Sequence, residues 1–512
     1  MPPTTALAAP PPGAIPARTA RIPLRVVIAV ALPALFGVLS GLITPRGPIT
    51  TGEGLATMAL ALVTGLLAGS AARNRWALLF APLAFVIALE LARLPVTGPT
   101  VDAIRVSTQF GFIAFATGRG VHGLLAIAPL MLGVALGAAY AKRRSGSTPQ
   151  YRGLAGRIWA YFRRTMTVVL AILLAALAVG IARPASTDPI IDANGALKSG
   201  SIAELTTVHL DGKDLAVMTR GHDTDNPLLL YIAGGPGGSE LGAMRRHLAT
   251  LEEDFTVVTL DQRGTGKSYS ALDPASTLTF DGAVRDVIEL TELLHERFGA
   301  PPTYLVGQSY GSLVGVRAAQ QRPDLFAAYI GVGQMVSPAE TDQIIYEDTL
   351  SWARAAGRQE VVEHLSAIGY PPYHRISDYE TATTYETSDV YPYDHSPNSE
   401  GAGQFSENIF VSEYTLLEQL HILGAVLDVF SIIYPQLQEV DFRTDAPTLD
   451  IPVYLMQGRF EARGRTEPAH EWFDLLNAPH KEMVLFDTSG HRPLFEQPGV
   501  FREALARIAA ES

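Results

Sequence analysis

Five apolar runs within the first 182 residues constrain this chain more than any other feature of its sequence. They lie at about 23–43, 54–72, 77–93, 121–141 and 165–182. Each run is close to the roughly 17–25 residues that a helix needs to cross the ~30 Å hydrocarbon core of a bilayer. The sequence therefore predicts a transmembrane helical domain over residues 23–182, with about five spans.

The segment before these runs is of a different kind. Residues 1–22 are rich in proline and alanine and have no apolar period, so they predict a disordered tail. Arginines precede the first run, which would also suit a cleaved signal peptide. Four further runs favour a membrane anchor that crosses several times.

Basic side chains set the expected orientation, because cytoplasmic loops are enriched in Lys and Arg. Residues 1–182 hold sixteen basic and three acidic side chains, whereas the rest of the chain holds 23 basic and 48 acidic ones. We therefore expect an integral protein of the cell membrane, with the amino terminus inside and the part after the fifth span outside the cytoplasm. Two alternatives stay open for the segment 104–118: a surface or re-entrant helix, which keeps this orientation, and a crossing, which would reverse it. The basic residues fall before the first span and in the second and fourth loops: Arg18, Arg21, Arg25, Arg73, Arg75, Lys142, Arg143, Arg144, Arg152, Arg157, Arg163 and Arg164.

The acidic balance of the second part of the chain disfavours nucleic acid as a partner, because phosphates would be repelled. The chain has no cysteine, which excludes disulfides, thiolate zinc sites and a cysteine nucleophile. The sequence says nothing about protein partners.

Residues 183–200 are polar and predict a linker, and residues 201–512 form a second domain. A hairpin is expected around 209–221. After it, short apolar runs such as 228–233 alternate with helical patterns, which predicts a mainly parallel sheet covered by helices on both faces. An insertion at about 335–448 is mostly helical and is expected to form a cap over the edge of the sheet.

A GxSxG motif stands directly after one apolar strand. It reads Gly307-Gln308-Ser309-Tyr310-Gly311, and a helix is expected from Ser312 to Gln321. Small residues flank the serine because a sharp turn from strand to helix leaves no room for side chains, and this turn exposes the hydroxyl. The motif predicts that Ser309 is a nucleophile.

A serine hydroxyl needs a base, and the base needs an acid that orients it. Both should follow the serine in chain order, each in a loop after a late strand. Glu461 follows the apolar run at 452–457 and His491 follows the one at 482–486, so they are the predicted acid and base. Glu467 and Asp474 lie nearby and remain alternatives for the acid.

A glycine-rich turn at 234–238 follows the strand at 228–232. Such a turn can bring backbone N–H groups close to a developing oxyanion, and we assign these donors to Gly235 and Tyr310. The GTGKS segment at 264–268 could suggest a phosphate-binding loop. That pattern needs a glycine where this chain has Asp261, which excludes it.

Five motifs together resemble the proline iminopeptidase branch of the α/β-hydrolases. They are GGPGG at 234–238, DQRGTGKS at 261–268, GQSYGS at 307–312, GRFE at 458–461 and SGH at 489–491. The resemblance implies an α/β-hydrolase fold and an aminopeptidase that cleaves an amino-terminal residue, commonly proline, through an acyl-enzyme on Ser309. It implies a short-peptide or small-molecule substrate, and the mechanism needs neither metal nor organic cofactor.

The chain departs from that family at two positions: it has Ala233 where the family has histidine, and Glu461 where the family has aspartate. The resemblance does not extend to residues 1–182. It also implies that carboxylates of the cap hold the free ammonium group of the substrate. The candidates for this role are Glu340, Glu347, Asp348, Glu413 and Glu418.

Two other functions fit the same sequence. An esterase or lactonase that acts on lipophilic molecules would use the same chemistry. Besides the substrate, the expected partner is the lipid bilayer. A non-catalytic sensor or transporter would use the second domain only to bind a ligand. The predicted spans hold few polar residues apart from Glu90, Arg25 and Arg93, which favours an anchor over a transporter.

Overall fold

The computed structural model describes residues 24–74, 76–146, 153–392 and 406–511. The tail predicted at 1–22 lies outside the described residues, as do Arg75 and Arg152. The described chain has an amino-terminal group of helices, an eight-stranded sheet flanked by helices, and a helical insertion between two of the strands.

Six helices form the amino-terminal group, and the segment at 104–118 differs from its prediction. Two π-helical turns, Ala116–Gly120 and Gly123–Ile127, join α4 to α5, so that Gln109–Arg144 is one helical path of 36 residues. A re-entrant helix is therefore excluded from Gln109 onward, because the helical path does not reverse direction there, while a position at the membrane surface stays a prediction. The helices are α1 Leu24–Ile43, α2 Thr51–Ala72, α3 Ala77–Ala92, α4 Gln109–Phe115, α5 Ala128–Arg144 and α6 Gly153–Ala182.

Five helices among the described residues are long and apolar enough to cross a membrane. Four of them precede residue 183: Leu24–Ile43, Thr51–Ala72, Gln109–Arg144 and Gly153–Ala182. The fifth, Leu416–Leu437, belongs to the helical insertion and is half buried against the rest of the protein. The shorter α3, with 16 residues, completes five apolar helices before residue 183, which is the predicted number.

The amino-terminal helices pack through glycine pairs spaced four residues apart. A methyl group on Gly65 of α2 would lie 2.1 Å from the backbone oxygen of Leu130, and one on Gly133 of α5 would lie 2.2 Å from that of Leu62. Gly69 and Gly137 repeat the contact one turn further along. Small residues at this spacing let two helices approach closely, as in membrane helix pairs.

The sheet has the strand order β1-β2-β4-β3-β5-β6-β7-β8. Strands β1 and β2 form the predicted antiparallel hairpin, β2 pairs antiparallel with β4, and the remaining pairs are parallel. Parallel strands covered on both faces are apolar throughout, and every residue of β3 is buried. The strands are β1 Ile202–Leu210, β2 Lys213–Gly221, β3 Leu228–Ile232, β4 Thr256–Leu260, β5 Thr303–Gln308, β6 Ala328–Val332, β7 Val453–Gly458 and β8 Lys481–Phe486.

Helices cover both faces of the sheet, and the insertion between β6 and β7 forms the cap. Around the sheet lie α7 Leu241–Leu248, α8 Phe280–Phe298, α9 Tyr310–Gln321, α16 Arg463–Leu475, α17 Pro493–Glu496 and α18 Pro498–Glu511. The cap holds α10 Pro338–Ala355, α11 Gln359–Ile368, α12 Ile376–Tyr385, α13 Ser406–Ile409, α14 Leu416–Ile433 and α15 Phe442–Asp445. Helix α8 ends at Phe298, and Gly299 follows it in a left-handed conformation.

The cap helix α14 lies between the amino-terminal helices and the glycine-rich turn. On one side, the buried Asp428 accepts hydrogen bonds from Arg46 Nη1 at 2.8 Å and from the Thr100 backbone N–H at 3.0 Å. On the other side, a methyl group on Gly237 would lie 2.8 Å from Val426 Cα. The loops after α1 and after α3 therefore contact the cap directly.

Candidate active site

Ser309 lies at the turn between β5 and α9, in a backbone conformation that few residues adopt. Its φ is 53° and its ψ is −120°. The turn is possible because the residues two positions before and after Ser309, Gly307 and Gly311, have no side chains. A methyl group on Gly307 would lie 2.5 Å from the Gly311 oxygen, and one on Gly311 would lie 2.2 Å from the Ile232 oxygen. Strain of this kind is found at functional sites, where it exposes the reactive atom. The helix begins at Tyr310, two residues before the predicted start.

The structure brings the three predicted residues into one hydrogen-bonded chain. His491 Nε2 lies 2.9 Å from Ser309 Oγ, and His491 Nδ1 lies 2.6 Å from Glu461 Oε2. Ser309 and His491 are 182 positions apart in the sequence. The alternative acids are elsewhere: Glu467 pairs with Arg463 at the surface, and Asp474 is exposed.

The loops that carry the acid and the imidazole converge because Gly333, after β6, has no side chain. Its φ is 53°, and a methyl group on it would lie 3.0 Å from His491 Nδ1 and 3.1 Å from Glu461 Oε2. The loop that carries His491 is also held by Glu496, which accepts the Gly490 backbone N–H at 2.7 Å. Gly333 was not among the predicted site residues, although a glycine directly after the apolar run that forms β6 was a signal for it.

The electrostatic environment favours a neutral imidazole, whereas burial and hydrogen bonding act in opposite directions on the carboxylate. Burial, and then the nearby Arg465 cation, hold the pKa of His491 well below its usual range. Burial raises the pKa of Glu461 to about 8, although the Ala462 N–H, which donates to Oε1 at 2.7 Å, lowers it. Arg465 Nε also donates to Oε1, at 2.8 Å, and favours the charged form. A neutral His491 can accept a proton from Ser309.

The glycine-rich turn lies beside Ser309. A methyl group on Gly234 would lie 3.0 Å from Ser309 Cβ and 2.3 Å from Gln308 Oε1. Gly235 follows with a φ of 122°, which favours glycine. Tyr310 is the first residue of α9, so its N–H belongs to the turn of a helix that lacks intrahelical acceptors. The assignment of Gly235 and Tyr310 as oxyanion donors stays a prediction.

The lysine of the GTGKS segment is not free to bind a phosphate. Lys267 Nζ lies 3.0 Å from both carboxylate oxygens of Glu418 on α14. The buried Asp261 accepts the Lys267 backbone N–H at 2.9 Å and the Tyr414 hydroxyl at 3.0 Å. This segment therefore joins the sheet to the cap.

The five cap carboxylates proposed to bind an ammonium group all have partners within the fold. Asp348 lies 2.7 Å from Arg463, and Glu418 lies 3.0 Å from Lys267. The other three bind protein side chains too: Glu340 pairs with Arg443, Glu413 with Arg245, and Glu347 accepts the Tyr370 hydroxyl.

Three charged residues near the acid loop were missed: Asp342, Glu386 and Arg465. Burial raises the pKa of Asp342 to about 7, although the Tyr434 hydroxyl donates to its carboxylate at 2.6 Å. Arg465 pairs with Glu461 on one side and with Glu386 on the other. The spacing of four residues from Glu461 to Arg465 was a readable signal for that pair. For the two cap acids, Asp342 and Glu386, the sequence offered no such signal.

The sequence predicts no metal and no organic cofactor for this chemistry. Among the residues that the structure describes, no group of three or more His, Asp or Glu side chains is placed to hold a metal ion. The expectation that the chemistry needs neither metal nor organic cofactor stays a prediction.

A family model described as alpha/beta hydrolase fold matches residues 227–498, which is more than half of the chain. The chain belongs to this family. The match begins just before β3 and spans strands β3 to β8, the cap, and the residues Ser309, Glu461 and His491. The predicted fold class is therefore confirmed, and so is the coarser functional prediction of a hydrolase.

Known proteins resemble the chain over about 60% of its length. The probable aminopeptidase YbaC of Bacillus subtilis (strain 168) is 28% identical over 310 residues, which are 60% of this chain and 97% of that protein. Among solved structures, the proline iminopeptidase of Mycobacterium smegmatis has 18% identity and a TM-score of 0.44, covering 60% of this chain and 98% of its own. A proline iminopeptidase-related protein from Thermus thermophilus has 20% identity and a TM-score of 0.41, with coverage of 60% and 98%.

Proposed function

We propose that the protein is a membrane-anchored serine hydrolase, and specifically an aminopeptidase of the proline iminopeptidase type. The observation that carries this proposal is the chain of hydrogen bonds from Ser309 Oγ through His491 to Glu461. The resemblance to YbaC supports the choice of an aminopeptidase among serine hydrolases.

In the proposed mechanism, Ser309 Oγ attacks the carbonyl carbon of the scissile amide while His491 Nε2 takes the hydroxyl proton. Glu461 orients the imidazole through Nδ1–H and stabilises the imidazolium. The backbone N–H groups of Gly235 and Tyr310 hold the negative oxygen of the tetrahedral intermediate. His491 then protonates the leaving amine. Water, deprotonated by His491, hydrolyses the acyl-enzyme and regenerates Ser309.

An aminopeptidase also needs a group that recognises the free ammonium of its substrate, and we assign this role to Asp342. Its carboxylate is largely buried in the cap, beside the aromatic rings of Tyr379 and Tyr434, which lie 5.4 Å apart. Its neighbour Thr341 donates to the Gly464 oxygen at 2.7 Å, so Asp342 lies close to the acid loop. A buried carboxylate with a raised pKa is ready to gain a cation.

Labelling with a fluorophosphonate probe tests the serine mechanism. We expect the purified full-length protein to be labelled at Ser309, and a Ser309→Ala variant not to be labelled. Equal labelling of both proteins would disprove the mechanism. No labelling of either would favour the alternative of a sensor or transporter with a non-catalytic domain.

Substrate turnover tests the peptidase assignment against an esterase or lactonase. We expect cleavage of a proline arylamide, with much slower cleavage when its amino group is acetylated. An Asp342→Asn variant should raise KM for the free-amine substrate about tenfold or more, equivalent to about 1.4 kcal/mol or more, and should leave KM for the acetylated one unchanged. A matched Glu347→Gln variant, in which the lost carboxylate is exposed, should change neither. Turnover of aryl esters alone would defeat the peptidase assignment.

We further propose that the amino-terminal helices span the cell membrane and hold the hydrolase domain outside the cytoplasm. Arg46 and Thr100, in the loops after α1 and after α3, contact the hydrolase region. The basic Arg73 and Lys142 are at the other ends of the helices, which favours the cytoplasmic side for those ends.

The absence of native cysteine makes this orientation easy to test. A membrane-impermeant maleimide should label an Asn194→Cys variant in intact cells, because this exposed residue follows the last span. It should label a Lys142→Cys variant only after permeabilisation. The reverse pattern would place the hydrolase domain inside the cell.

A further inference from the structure

The acid of the proposed relay has a buried cationic neighbour that the mechanism above does not use. Arg465 Nε donates to Glu461 Oε1 at 2.8 Å, on the opposite carboxylate oxygen from the one that meets His491. The other end of the guanidinium, Nη2, donates to Glu386. The side chains of Arg465 and Glu461 are 8% and 0% exposed, so water cannot replace either partner.

Glu386 belongs to a cap segment that also contacts the amino-terminal helices. It directly follows α12, and six residues earlier Glu380 accepts the backbone N–H groups of Gln109 at 2.7 Å and Phe110 at 2.9 Å. These two residues begin α4. This stretch of the cap therefore carries two carboxylates. Glu380 contacts the amino-terminal region, and Glu386 contacts Arg465.

A buried carboxylate without a counter-charge takes up a proton and becomes neutral. A neutral Glu461 would stabilise the imidazolium poorly and could turn its proton toward His491 Nδ1. The Arg465 guanidinium opposes both changes, since it favours the charged carboxylate and occupies the oxygen that faces away from the histidine. Its position in turn depends on Glu386.

We propose that Arg465 is a positioning residue that keeps Glu461 charged and oriented, and that Glu386 makes this effect depend on the docking of the cap. The proposal rests on the serine mechanism proposed above, but not on the identity of the substrate. It assigns a role in the chemistry to the cap, beyond covering the substrate. It also links the amino-terminal helices to the acid, through Glu380 and the stretch of α12.

The test is the pH dependence of the fluorophosphonate labelling rate, measured on the full-length protein in detergent micelles. In the wild type, we expect the acid limb of this profile below pH 6.5. The charged groups around the relay are those of Arg465, Glu386, Asp342, Glu496, Arg492 and Glu240. Loss of the Arg465 cation favours the protonated forms of both Glu461 and His491, so both changes move the limb to higher pH.

For an Arg465→Gln variant we expect the limb to rise by at least one pH unit, with labelling at least tenfold slower at a pH below both limbs and restored toward the wild-type rate at pH 9. Arg465→Lys, which keeps the cation, should show a smaller rise. Glu386→Gln should move the limb in the same direction by a smaller amount. Glu467→Gln, on the same helix but in a surface pair with Arg463, is the matched control and should leave the profile unchanged.

A slower Arg465→Gln variant whose limb stays at the wild-type pH would overturn the proposal, because a purely structural loss does not move a titration. If Arg465→Gln does not fold, unchanged limbs in both Arg465→Lys and Glu386→Gln would overturn it equally. A wild-type protein that is not labelled at any pH would instead disprove the proposed serine mechanism.

Discussion

In the amino-terminal helices the contact between α2 and α5 buries small residues, whereas the core of the sheet domain buries large apolar side chains. In α2, Gly65 and Gly69 are buried at the contact with α5, while Leu67 between them is 53% exposed. In the sheet, all five residues of β3 are buried, and Leu230 has no exposed surface. Large apolar side chains leave the protein surface where the surroundings are water, and gain little from doing so where the surroundings are lipid. This contrast supports the proposal that the amino-terminal helices lie in lipid and the sheet domain in water.

The two regions also differ in that the proposed catalytic residues all lie in the sheet domain. The largest expected effect tests this difference. In a His491→Ala variant, the labelling rate of Ser309 should fall by about 10⁴-fold or more, because the serine loses its base. The imidazole is only partly buried, with 21% of the side chain exposed, so thermal unfolding should change little. Labelling at more than one hundredth of the wild-type rate would show that another group activates Ser309.

The contact between the regions gives the next largest effect. Arg46→Met should destabilise the full-length protein by about 3–5 kcal/mol, since it leaves Asp428 buried without its cation. Chemical unfolding in detergent micelles measures this free energy. Replacing both residues, as Arg46→Met with Asp428→Leu, should recover more than half of the loss.

Arg285→Met is the matched control for this contact. It removes an arginine from an exposed pair with Asp211 within the sheet domain, and it should cost less than about 1 kcal/mol. An equal cost for Arg46→Met and Arg285→Met would mean that the two regions are only tethered and do not support each other.

A pair of leucines compares the packing of the two regions directly. Leu230→Ala should cost about 2–5 kcal/mol, because it opens a cavity in the sheet core. Leu67→Ala, on the exposed face of α2, should cost less than about 1 kcal/mol in micelles, since its side chain already contacts the apolar surroundings. Unfolding of the two variants under the same conditions measures the difference. Equal costs would argue against a lipid-facing surface on α2.

The smallest effect expected is on the pH dependence of the wild-type protein. His491 must be neutral to accept the serine proton, and its pKa lies well below the usual value, so the neutral form persists as the pH falls. The labelling rate at pH 5.5 should remain above half of its value at pH 7.5. An imidazole with an ordinary pKa of about 6.5 would lose roughly tenfold over that interval. A loss of that size would mean that burial does not lower the pKa of His491.

Much of the site was predictable because its signals are local. The turn at Ser309 needs glycines at 307 and 311, and these can be read from five consecutive residues. The loops that carry Glu461 and His491 each follow a strand that contains four consecutive apolar residues, at 453–456 and at 483–486. Chain order then limits which acid and which histidine can meet the serine.

The sequence by itself determined the two kinds of region, because length and apolar periodicity depend only on neighbours along the chain. It also offered a signal that was not used: the paired glycines at 65 and 69 and at 133 and 137, which mark the contact between α2 and α5. The continuity of the helix from Gln109 with α5 was not predicted, because the polar and glycine residues at 117–120 separate two apolar stretches.

Only the tertiary structure decided which charges meet. Asp428 finds Arg46 across 382 positions, and Arg465 joins Glu461 to Glu386 of the cap. The five cap acids chosen from the sequence bind other side chains of the fold, and so do Asp342 and Glu386, which lie near the acid loop. The physical reason is that a charge pair depends on where two surfaces cross, and the crossing geometry is set by packing between elements far apart in the chain.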